Sequence, residues 1–159
     1  MIKFALATIL FTAATPVFAT DLSQFSQTFQ INDETLSLVY LGCGNTNLLA
    51  SRYEMALEDF RKADSVRNRS DRFSDVQFGI LFGKIIAYDN LGERSKCEQV
   101  IGNLFLLACE YDDEEDSDAE EDPNDALISA YMRKLASCAA SQDVRDFLFA
   151  LLDDNLELE

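Results

Sequence analysis

Carboxylates are the chemistry this sequence offers most freely. From Glu110 to Asp122, ten of thirteen residues are acidic. Oxygen ligands in that number suit a hard divalent cation such as calcium. The spacing does not fit a calcium-binding loop, because no register puts a glycine in the turn and a glutamate at the end. A solvated, acidic loop over 110–122 is the plainer expectation, with weak divalent-ion binding or docking of a basic partner as alternatives. The carboxylate pair Glu58-Asp59 reads as one polar helix face. Arg61, Lys62, Arg67, Arg69 and Arg72 form the one basic cluster, diluted by Asp64 and Asp71. It balances the acidic remainder or meets an acidic segment of a partner. There is no histidine, so the commonest general base and metal ligand is missing. No nucleophile elbow, phosphate loop or metal-binding pair occurs either. The sequence points to no catalytic residue, no metal site and no cofactor, and so to a protein that is not an enzyme.

The cysteines depend on where the chain resides. Lys3, the apolar stretch Phe4 to Ala14, and Val17-Phe18-Ala19 after Pro16 have the pattern of a secretory signal peptide. Cleavage after Ala19 would leave a mature chain starting at Thr20, secreted or periplasmic. The apolar run is short for a membrane span, and no other reaches the length one needs. Loss of Lys3 moves the net charge from −16 to about −17. Such acidity disfavours nucleic acid and anionic membrane surfaces as partners. In an oxidising compartment Cys43, Cys97, Cys109 and Cys138 are an even set with three full pairings, or else buried thiols.

Stepping along the chain, residues 20–159 read as one all-α domain of about six helices. Asn32 or Asp33 caps a first helix reaching Ala50. Tyr53, Ala56, Leu57, Phe60, Ala63 and Val66 line one face of a second. Ser51 with Glu54 has the spacing of a capping box at its start. A third helix begins at Ser70 or Ser74 and ends at Gly92. It is apolar on nearly every side, which predicts a central place. A fourth runs from Glu93 to Cys109, with Cys97, Val100, Ile101, Leu104, Phe105 and Ala108 inward. Asp122-Pro123 opens a fifth with Leu127, Ala130, Tyr131, Leu135 and Cys138 inward. Ser141 caps a sixth. If the fourth and fifth helices are antiparallel neighbours, Cys97 and Cys138 come together. Cys109 then lies about 18 Å away along the fourth helix, which makes Cys97–Cys138 the expected bridge.

The second helix and the turn before it resemble a tetratricopeptide repeat. Tyr40-x-x-Cys43-Gly44 and Ala56-x-x-x-Phe60 follow that signature, with Ala63 at the next small position. Asn47 stands where a tyrosine is usual, and Asn68 where the closing proline is. A weaker copy has Leu81, Ile85, Tyr88 and Gly92, then Cys97 and Ile101. Ala56 to Cys97 is about seven residues longer than the family period of 34. The resemblance implies a short right-handed superhelix of helical hairpins, the last pair acting as a cap. It implies a concave groove that binds a peptide or helix of a partner protein. Leu38, Leu41, Asn45, Leu48 and Leu49 would line it from the first repeat, and Phe82, Ile86, Asp89 and Asn90 from the second. Gly44-Asn45 matches a pair common in the family, and Leu41 stands where a carboxylate-clamping lysine is expected. The alternative is a structural or assembly role in an envelope complex, through surface contacts.

Overall fold

The computed structural model describes residues 32–67, 75–112 and 125–153. The signal-peptide stretch and most of the acidic loop lie outside them. The described residues form six α-helices and no strand: α1 (Asp33–Leu49), α2 (Tyr53–Val66), α3 (Asp75–Asn90), α4 (Arg94–Asp112), α5 (Asp125–Ala136) and α6 (Gln142–Leu152). None is long and apolar enough to cross a membrane.

Local chemistry sets most of the ends. Asn32 caps α1, its side-chain oxygen accepting from the Thr35 N–H at 2.8 Å. Ser141 caps α6 in the same way through the Val144 N–H. The capping box expected at Ser51 does not form. Ser51 has a φ of 57° and closes α1 instead. Its N–H bonds the Leu48 carbonyl at 2.9 Å, and the Arg52 N–H bonds that of Asn47 at 2.8 Å. This is the left-handed helix stop usually given to glycine. With only Ala50, Ser51 and Arg52 between the helices, the serine ends α1 and is not available to start α2, which has no side-chain cap. Gly92, at φ 69°, makes the same stop for α3, with Gly92 N–H to Asp89 and Glu93 N–H to Tyr88. Ser51 and Gly92 are forty-one positions apart, as are Ala56 and Cys97 and the first residues of α2 and α4. The two hairpins α1–α2 and α3–α4 therefore repeat in structure. A further difference is that α4 runs three residues past Cys109, into the start of the acidic stretch.

α3 is central, as its all-round apolar surface predicts. It packs on α1, α2, α4, α5 and α6, and Phe82, Ile85 and Ile86 on it are fully buried. Phe60 of α2 fills the space between the first two hairpins, its ring lying directly on Gly44 of α1 and Gly83 of α3. Ser37 and Asp59 are polar but buried. The Ser37 hydroxyl donates to the Ala63 carbonyl at 2.8 Å, and Asp59 accepts from the Asn47 amide at 2.8 Å, so both are satisfied.

The third hairpin departs from the expected stack. α5 and α6 pack on one another and on α3, with α5 also reaching α1. They do not sit alongside α4, so they do not cap it. The face of α5 turns accordingly: Ile128, Met132, Leu135 and Ala136 point inward, and Leu127 is 62% exposed. The antiparallel α4–α5 pair that would have joined Cys97 to Cys138 is absent. Cys97 and Cys138 are free thiols. The Cys97 Sγ lies on the Ile85 carbonyl at 3.6 Å and the Cys138 Sγ on that of Lys134 at 3.5 Å. Cys109 lies outside the described side chains.

Candidate partner-binding surfaces

The nine residues of the expected groove separate into three groups. Leu48, Phe82 and Ile86 are core residues with no face to offer a ligand. Helical spacing marks an apolar side chain as inward or grooved without distinguishing the two. Leu38 and Leu41 are half-buried against the core, and Leu49 is 40% exposed. Asn45, Asp89 and Asn90 are the polar members, and Asp89 and Asn90 hydrogen-bond the α5–α6 hairpin.

The contacts are specific. Asp89 receives both the backbone N–H and the hydroxyl of Ser141, each at 2.7 Å. The carboxylate thus holds the residue that caps α6, through two charge-assisted bonds. The Asn90 amide donates to the Ile86 carbonyl at 2.9 Å and to the Cys138 carbonyl at 2.8 Å. It ties the end of α3 to the turn between α5 and α6. Asn45, buried on α1, stands beside the Tyr131 phenol, and its Oδ1 is buried without a partner. Burial raises the Tyr131 pKa, and Asn45 opposes the shift. Within the hairpin Arg145 donates to the Ala139 carbonyl at 2.9 Å, and Arg133 pairs with Asp153.

A second surface lies on the other side of α3. A cleft of about 440 Å³ runs between α2 and α4 with α3 as its floor. Asp64 sits on one wall with Arg67 at 2.9 Å and Lys84 at 3.7 Å. Leu106 on the opposite wall is 62% exposed.

Of the basic cluster, Arg61 pairs with Glu58 on the surface, and Lys62 stands 5.8 Å over the Tyr40 ring. Arg69 and Arg72 lie outside the described residues. Among the described residues no group of three or more His, Cys, Asp and Glu could hold a metal ion. The bond from Asn90 to the Cys138 carbonyl and the second role of Ser141 escaped the sequence reading. Ser141 was legible as a cap, but its partner Asp89 is 52 residues away, beyond any local pattern. No family model matches the chain, and no curated protein or solved structure does.

Proposed function

We propose that this protein is an exported, non-catalytic scaffold, similar in its first two hairpins to tetratricopeptide repeats, that binds a helical segment of a partner protein on the α1–α3 face. The observation that carries this reading is the pair Asp89 and Asn90. Side chains at the positions where a repeat of that kind presents its groove hold a helical hairpin here, and the hairpin is the chain's own. A surface with anchors for a helix cap and a turn carbonyl is a receptor for helices. Its partner binds by taking the place of α5–α6. The packing of Phe60 on Gly44, with Ala56 and Ala63 buried beside it, supports the resemblance, as does the repeat of the helix stop at Ser51 and Gly92. The pattern of residues 1–19 supports export.

A tagged full-length chain with Ser141→Ala tests the reading, because it leaves Asp89 on the receptor face intact. Loss of the charge-assisted hydroxyl bond to Asp89 loosens the hairpin by about 1.5–3 kcal/mol, so the variant should capture a protein from the native envelope that wild type captures weakly. Capture that is identical for both chains would favour the second reading, assembly through the outer surfaces. The burial of Leu48, Phe82 and Ile86 is what favours that second reading.

A further inference from the structure

We infer that the cleft between α2 and α4 binds a short acidic, leucine-bearing peptide segment of a partner protein. The site is separate from the α1–α3 face and does not depend on it.

Charge is the first reason. Arg67 and Lys84 share one carboxylate, Asp64, and their side chains are only 16% and 19% exposed. Among the described residues Asp64 is the only acidic one lining the cleft. The lining therefore carries an excess positive charge, in a chain whose net charge is −16. A cation partly withdrawn from water, with half a counter-ion, gains more from an incoming carboxylate than an exposed lysine does. Elsewhere the net charge repels an acidic ligand, so the cleft is where such a ligand is held.

Shape and apolar lining give the rest. Gln77, Leu81, Lys84 and Tyr88 form one stripe along α3, about 16 Å long at 1.5 Å per residue. That is the span of roughly five residues of extended chain. Leu81 on the floor and Val100 on the α4 wall are apolar and half-buried, and Leu106 stands at the rim with most of its surface in water. A leucine-type side chain laid there covers Leu106 and removes apolar area from solvent. Gln99 and Asn103 are exposed, one turn apart on the same wall. Their amides can donate to and accept from a peptide backbone, which a simple fatty acid would leave unused.

Residues 156–159 of the chain have the sequence Leu-Glu-Leu-Glu, so the test is amide chemical-shift titration of the full-length protein carrying Leu156→Ser and Leu158→Ser with the capped peptide Leu-Glu-Leu-Glu. The expected result is saturable shifts at Lys84, Val100 and Leu106, with a Kd between about 0.1 and 1 mM. Binding should weaken about tenfold for Leu-Gln-Leu-Gln and for Ser-Glu-Ser-Glu, and at about 0.5 M salt. Lys84→Gln and, independently, the exposed Leu106→Ser should each weaken it about fivefold while leaving the spectrum folded. No shifts at about 5 mM peptide, equal binding of the glutamine peptide, or indifference to both substitutions would overturn the proposal. Octanoate binding as tightly as the peptide would overturn it too, by assigning the cleft to a small amphiphilic acid.

Discussion

The ring of Phe60 lies so close to Gly83 that a Cβ on that glycine would stand 2.3 Å from Phe60 Cζ. Gly44 meets the other side of the ring as tightly, at 2.4 Å. One aromatic side chain thus sets how near α1 and α3 approach α2. Alanine is ordinarily better than glycine inside a helix by about 1 kcal/mol. Gly83→Ala should nevertheless destabilise by about 1–3 kcal/mol, because the ring has nowhere to move. Gly102→Ala on α4, where an added Cβ meets nothing within 4 Å, should stabilise by up to about 1 kcal/mol. Phe60→Ala should cost about 3–5 kcal/mol. Denaturant melts of the three variants check this, and a stabilising Gly83→Ala would contradict the packing.

Ser51 occupies the left-handed region at φ 57°, where its Cβ crowds the backbone at about 1–2 kcal/mol. Gly92 does the same work without that strain. Ser51→Gly should raise stability by about 0.5–1 kcal/mol, whereas Gly92→Ser should lower it by a similar amount. Opposite signs in paired thermal melts are the expected outcome.

Asp59 titrates against the usual direction. Burial raises its pKa, outweighing the Asn47 hydrogen bond and the Lys62 charge that lower it. Folding therefore favours the protonated form, so this residue's contribution to stability is full below the unfolded pKa of about 4 and is lost as pH rises through the higher folded value. Asp59→Asn keeps an oxygen for Asn47 and removes the charge. It should melt above wild type at neutral pH, and the gap should close below about pH 4. A gap that widens on acidification would contradict the assignment.

Burial, helped by Asp89 and Glu98, pushes the Cys97 thiol up to about 11. Little thiolate forms near neutral pH, and the sulfur is covered. Iodoacetamide should label Cys97 only on unfolding and the half-buried Cys138 sooner. Peptide mapping that finds Cys97 labelled first, or bridged to Cys138, would contradict the placement of α5.

What the sequence reveals here is what acts over one or two helical turns. Ala56, Phe60 and Ala63 declare the inner face of α2, and the unbroken apolar surface of α3 declares its central place. Asn32 and Ser141 declare their caps. Ser51 and Glu54 have the spacing of a cap, but the same serine is the last residue the previous helix can use to stop, and a three-residue turn makes that use decisive. The lining of the expected groove is legible only in part, for a different reason. Leu48, Phe82 and Ile86 repeat at helical spacing whether they face a ligand or a covering helix. Only the folded arrangement places them in the core, as only it brings Asp89 to Ser141.

Binding of the isolated hairpin in trans is the most direct test of the α1–α3 face as a receptor for helices. A synthetic peptide of residues 125–153 would be titrated into full-length protein. In the wild-type chain the tethered hairpin competes at an effective concentration in the millimolar range, so little binding is expected. In a full-length Ser141→Ala chain, whose own hairpin has lost its hydroxyl bond to Asp89, the peptide should bind about tenfold more tightly than to wild type. Adding Asp89→Ala to that chain should abolish the gain. A peptide that binds neither chain up to about 1 mM, or that binds equally with and without Asp89, would contradict the receptor reading.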